Sequence, residues 1–280
     1  MKAFVHRSNN LSIYKVFVLG FLFFCSTECN SIVKLVPVSV DETLGAQYSE
    51  QVNADASQFP VLDSVQNAKV YEYVQTIRDK ILSSDDIKYR AEFPYTMKVI
   101  KNDSVMNAFC IPGGYIYVYT GLIKFLDTES ELAGVLAHEI AHAEQRHSVK
   151  QMSKSMGLSF LIGLVFSGDV ESLFRLGGNL LVLKFSRNDE READEFAVRY
   201  LYDTSYDPRG VSKFFEKLLN EKKDADVPYF LSTHPASQDR VDDILRTWKE
   251  LGSKIGETGK ERHDEIKKLL GHKSVVEASY

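Results

Sequence analysis

Two histidines four residues apart, His138 and His142, with Glu139 directly after the first, constrain this chain more than any other stretch. Residues i and i+4 share one face of an α-helix, a turn apart, so the pair acts together only if the chain is helical there. Held that way, two imidazoles can reach one metal ion, and the glutamate between them can work on a water at that ion. The surroundings support a helix. Thr128-Glu129-Ser130-Glu131 has the T-x-x-E form of a capping box, and Leu132, Val135, Leu136 and Ile140 fall at helical spacing. Three fixed residues in five also arise by chance in helical proteins, so the remainder of the chain must decide.

A length of 280 residues allows a sizeable core, and a net charge of −5 leaves no basic footprint for nucleic acid. Three cysteines are too few for a disulfide framework. At the N-terminus, Lys2, Arg7 and Lys15 precede the apolar run Val16–Cys25, and polar residues follow. That run is short for a membrane span and suits the core of a signal peptide. The expectation is export. Cys25 ends the run as a lipidated cysteine does, although Phe24 before it is bulky, so lipidation, ordinary cleavage and a retained anchor all stay open.

From Asp41 to Leu82 the pattern is polar and helical. Tyr95–Lys101, Val105–Phe109 and Tyr115–Tyr119 read as three short strands, with Pro112-Gly113-Gly114 turning the chain between the last two. A small antiparallel sheet beside the histidine helix is expected. It either offers an edge to an extended peptide or merely covers the helix. Residues 157–183 are apolar in two pieces, neither long enough to span a membrane, and read as core or membrane-facing helices. After Leu251 the chain turns charged and loses its periodicity, so 252–280 is expected as a mobile tail in which His263 and His272 have no role.

A pair of histidines leaves a metal short of ligands. His147 falls nine residues after His138, with Glu144 where a third-histidine motif has glycine, and reads as a helix-end residue. Glu190 and Asp194 are four apart on another helix. One could bind the metal while the other accepts a ligand histidine's ring N–H; Glu192 and Glu195 equally suit a solvated acidic face. His234, before Pro235 at a helix start, is free to point at a site or at solvent.

Taken together, Asn107-Ala108-Phe109, Pro112-Gly113-Gly114-Tyr115-Ile116, Thr120-Gly121-Leu122, the stretch Val135–His142, Ser186-Arg187, the ExxAD of Glu190 to Asp194, and Thr233-His234-Pro235 with Arg240 resemble one family in one order. That family is the HtpX and CAAX prenyl-protease group of gluzincin metallopeptidases, and the pattern is most like its soluble exported members such as BepA and LoiP. The resemblance covers roughly residues 41–248. It implies an α+β, mainly helical zincin-like domain at 41–251, and the charge and apolar run described above make 1–30 a signal or anchor segment. It implies one Zn2+ per chain on His138, His142 and Glu190, with Glu139 as the base for a zinc-bound water. Asp194 takes a place behind a ligand histidine, His234 and Arg240 stand near the scissile carbonyl, and Asn107, Ala108, Phe109 and Cys110 line the substrate.

The expected activity is endopeptidase cleavage of extended or misfolded proteins, envelope or membrane proteins among them, outside the cytoplasm of a bacterium. A proteolytically quiet or self-inhibited assembly factor is the alternative. Cys110 departs from the family's small residue, and no multi-span membrane architecture or helical-repeat domain is visible.

Overall fold

The computed structural model describes residues 36–167, 184–221 and 229–271. Two helices come first, α1 (Ser39–Ala54) and α2 (Ala68–Leu82), the latter burying Val70, Val74, Ile77 and Ile81 at helical spacing. Strands β1 (Met97–Ile100), β2 (Ala108–Ile111) and β3 (Tyr115–Tyr119) follow, then a short helix α3 (Thr120–Phe125). The histidine helix is α4 (Glu129–Glu144), and α5 (His147–Met156) and α6 (Leu158–Ser167) succeed it. Beyond residue 183 come α7 (Arg187–Tyr202), α8 (Gly210–Glu221), α9 (Tyr229–Thr233), α10 (Gln238–Glu250) and α11 (Lys260–Gly271).

The architecture is the α+β, mainly helical one expected, with α4 at its centre. Every residue of α4 is buried, because α7 and α8 pack on one side of it while β2, α2 and α11 close the others. Thr128 caps it by accepting from the Glu131 amide, and the Glu131 carboxylate takes the amide of Asp127. A helix buried all round has no room for polar residues unless they are paired or functional. The histidines are therefore inside by construction.

The sheet differs from the expected antiparallel one. Its order is β1-β3-β2: β2 pairs antiparallel with β3, whereas β1 runs parallel to β3, Met97 lying opposite Ile116. The cause is the connection 101–107, which carries the chain across to the far side of β3 before it folds back. Gly113 and Gly114, at φ of 76° and 79°, make the tight return that a side chain would resist. Strand β2 also begins at Ala108, not Val105, with the Asn107 carbonyl accepting from the Tyr119 amide at the end of the ladder. β2 is consequently an edge strand, and its open side faces α4.

One further expectation needs revision. Within the supposed tail 252–280, α11 is an ordered helix that buries His263 and Ile266. His263 hydrogen-bonds Tyr73 at 2.7 Å through Nδ1 and the Ile123 carbonyl at 2.9 Å through Nε2, and Arg262 pairs with buried Glu129 at 2.6 Å. One buried face per turn in a charged helix is too weak a signal to read as periodicity. In the region 157–183, Leu161 and Val165 of α6 turn onto the cluster that holds α1, and no described helix is long and apolar enough to cross a membrane. Residues 1–30, Leu180–Leu183 and His272 lie outside the described residues.

The contact that sets α8 against α4 is a backbone approach. A methyl group added to Gly210 would stand 2.0 Å from the Ser130 carbonyl oxygen. Gly210→Ala should therefore force the two helices apart and cost about 1–3 kcal/mol, the usual scale of overpacking. Urea unfolding checks this, and a wild-type midpoint would contradict so close a crossing.

Candidate active site

Three helices and one loop bring the polar groups together. On α4 the rings of His138 and His142 meet at a centroid distance of 4.6 Å, their Nε2 atoms 3.0 Å apart. On α7, Ser186 caps the helix in a capping box with Asp189, which starts the helix so that Glu190 and Asp194 face α4. Glu190 lies with Oε2 3.5 Å from His138 Nε2 and Oε1 3.6 Å from His142 Nε2. His234, in the loop after α9, places Nδ1 2.9 Å from Glu190 Oε1 and 3.3 Å from His138 Nε2. One donor atom from each of these four residues lies within 4.8 Å of all the others, and the group could hold a metal ion.

On α7 the carboxylates take different places. Glu190 points into the cluster, and Glu192 points away, half-buried against His147. Asp194 Oδ1 stands 2.9 Å from His138 Nδ1, and the ring's other nitrogen, Nε2, faces the cluster. Arg240, on α10, does not stand free beside a substrate carbonyl. Its Nε and Nη2 donate to the two Asp194 oxygens at 2.7 and 2.8 Å, and Nη1 reaches the Pro235 carbonyl and Glu190 Oε2, each at 2.9 Å. The guanidinium is thus spent on holding the two carboxylates.

Glu139 turns from α4 toward the sheet. Its Oε2 accepts from the Cys110 amide of β2 at 3.2 Å. Among the described residues, nothing donates a hydrogen bond to the buried Oε1, which lies 3.6 Å from His234 Nε2. Cys110 and Ala108 turn their backbone toward this side, since alternate residues of an antiparallel strand face away from the partner. Asn107 and Phe109 are buried, and Phe109 stacks on Tyr117 instead of facing the open edge.

The electrostatics follow from burial and neighbours. Burial works against charge on His138, yet the hydrogen bonds to Asp194 and Glu190 outweigh it and raise its pKa to about 9. Burial also opposes ionisation of Glu190, but His234, His138 and His142 hold it well below the usual carboxylate range. His142 is pushed well down by burial and by His138 beside it. Burial raises Glu139, despite His234 and His138. Burial likewise pushes the Cys110 thiol up, and Glu139 and Glu144 add to it.

Some neighbours were not legible. Phe185 stacks on His142 at 4.1 Å and Phe230 on His234 at 4.7 Å, fixing both rings. His147 Nδ1 lies 2.8 Å from His142 Nδ1. A separation of five residues matches no helical face; it works here because Arg146, at φ 55°, breaks the helix and swings His147 back.

Two imidazoles and a carboxylate converging from packed helices, with a second glutamate held against a sheet edge, define a metallopeptidase. The sequence profile described as Peptidase family M48 matches residues 68–248. The chain belongs to that family. It is 28% identical over 222 residues to the beta-barrel assembly-enhancing protease of Yersinia pestis, across 74% of this chain and 44% of that protein. It is 32% identical over 173 residues to the mitochondrial metalloendopeptidase OMA1 of Arabidopsis thaliana, across 58% and 35%. With the protein of that name from Schizosaccharomyces pombe the figures are 31% over 175 residues, 60% and 50%. The aligned part thus spans half or less of these relatives.

The Asp194–Arg240–Glu190 arrangement has a measurable consequence. Arg240→Ala would leave two buried carboxylates without their cation, at about 3–5 kcal/mol of folding stability. Denaturant unfolding of the metal-free protein tests this, and unchanged stability would return Arg240 to a purely catalytic role.

Proposed function

We propose that this chain is a zinc-dependent endopeptidase acting on extended or misfolded polypeptides outside the cytoplasm. The observation that carries the reading is the convergence of His138, His142 and Glu190, with Glu139 beside them and tied to the edge of β2. The donor set suits zinc, which takes histidine nitrogens and carboxylate oxygens and keeps a further position open. When bound, zinc polarises a carbonyl and makes a water acidic enough to attack near neutral pH.

The chain's own residues supply the rest. Glu139 Oε2 is anchored by the Cys110 amide, so Oε1 is the oxygen left to accept a proton from the attacking water. Burial makes that carboxylate more basic than usual, as a general base requires. The same oxygen returns the proton to the departing amine as the C–N bond breaks. An extended substrate beside β2 would meet the backbone of Ala108 and the carbonyl of Cys110 as a further strand does, which favours cleavage within a chain over trimming of its ends. Asp194 keeps His138 oriented, and Arg240 keeps Asp194 and Glu190 in place.

His234 favours a self-restrained enzyme. It sits inside the cluster on Glu190 and faces Glu139, where a substrate carbonyl must come. Its loop precedes Pro235, outside any helix, so a small displacement would uncover the site. The alternative of a quiet assembly factor draws on the name of the Yersinia pestis relative, a beta-barrel assembly-enhancing protease, and envelope or membrane proteins are the substrates that name suggests. Export, with the N-terminus serving as a leader or membrane anchor and Cys25 as a lipid site, rests on the apolar run Val16–Cys25.

Casein or peptide cleavage by the zinc-loaded protein tests the reading. Glu139→Gln should retain zinc while cleavage falls by about 10²-fold or more, and His234→Ala should raise basal cleavage. Near-normal cleavage by Glu139→Gln, or insensitivity to a chelator, would overturn it.

A further inference from the structure

His147 is wholly buried against His142, and the mechanism above leaves it without a task. Its surroundings are specific. Nε2 lies 3.2 Å from Glu192 Oε2 and 3.8 Å from Asp189 Oδ1. Lys150 supplies a cation there, its Nζ 2.7 Å from Asp189 Oδ1 and 3.9 Å from Glu192 Oε2. On the other side, His147 Nδ1 meets His142 Nδ1 at 2.8 Å.

For a His147 ring carrying one proton, one arrangement leaves His142 Nε2 free for the cluster. Ionised carboxylates only accept, so the proton of the His147 ring belongs on Nε2. Its Nδ1 is then a bare acceptor, and the nitrogen facing it, His142 Nδ1, must be the donor. A ring with one proton, placed on Nδ1, presents a lone pair at Nε2, and His142 Nε2 points at His138 Nε2 and Glu190. The opposite arrangement, with His147 donating from Nδ1, would put the His142 proton on Nε2 and turn an N–H into the cluster.

We propose that His147 is a positioning residue: it accepts the Nδ1 proton of His142 and so holds that ring in the one tautomer able to bind a metal through Nε2. This rests on the metal-site reading above. The two ligand histidines are then oriented differently, His138 by the Asp194 carboxylate and His142 by a second imidazole. A relay Glu192–His147–His142 runs from the half-buried surface of α7 to the site. A neutral acceptor gives His142 less added negative charge than a carboxylate would, so the relay sets orientation more than basicity.

Zinc affinity of the full chain, read by competition with a chromophoric chelator, tests this with four proteins: wild type, His142→Ala, His147→Leu and His147→Asn. Thermal unfolding of each metal-free protein is followed alongside. His147→Leu should bind zinc about 10- to 100-fold more weakly, the scale for losing the partner of a ligand histidine. His147→Asn should recover most of that loss, because its amide oxygen stands one bond from Cγ, as Nδ1 does. In the zinc-loaded wild type, long-range nitrogen-15 NMR should find His142 protonated at Nδ1 and His147 at Nε2. Wild-type affinity in His147→Leu, equal losses in the Leu and Asn variants, or a proton on His147 Nδ1 would each overturn the relay. If His147→Leu fails to fold, the two tautomers decide alone. Wild-type affinity in His142→Ala would instead overturn the metal site itself.

Discussion

Two buried carboxylates share one guanidinium, and the site depends on that. Asp194 and Glu190 sit a turn apart on α7, each almost fully out of water. Unpaired, either would be costly to ionise, and a protonated carboxyl can neither steady His138 nor present an anionic oxygen to the cluster. Arg240, reaching from α10, pairs with both and holds Asp194 in the ionised state, with Phe215 under its guanidinium at 4.2 Å. The cation acts through the carboxylates, and they act through the rings.

Around this ion pair the fold supplies rigidity. α4 is buried from end to end, and the close crossing at Gly210 brings α8 against its first turn. Its far end is tied down by Glu144, which accepts the Lys88 and Tyr89 amides and the Tyr95 hydroxyl, and by Arg146, which donates to Asp41 and to the Val36 carbonyl. Such anchoring keeps His138, Glu139 and His142 in register with α7 on one side and β2 on the other. Glu139 and the two histidines share a helix, yet they face different neighbours, Glu139 the sheet edge and the rings α7.

Much of this could be read from residue order. Spacing on a helix placed His138 and His142 together, and the family pattern separated Glu190 from Glu192, which composition alone could not do. What stayed hidden has physical causes. The resemblance puts Arg240 near the scissile carbonyl, but its ties to Asp194, Glu190 and the Pro235 carbonyl depend on how α7 and α10 pack, which residue order does not show. The parallel pairing of β1 with β3 depends on where a loop crosses, and local alternation carries no trace of it. His147 defeats periodicity because a single left-handed residue, Arg146, redirects the chain. α11 looks like a charged tail because its buried face is only His263 and Ile266, one helical turn.

The central claim is that His138, His142 and Glu190 meet at one zinc ion. X-ray absorption at the zinc edge of the loaded protein tests it most directly. A shell of nitrogen and oxygen alone at about 2.0–2.2 Å is expected, with the outer-shell scattering of at least two imidazoles. A sulfur neighbour at about 2.3 Å, which would bring Cys110 into the coordination, or a shell without imidazole, would contradict it.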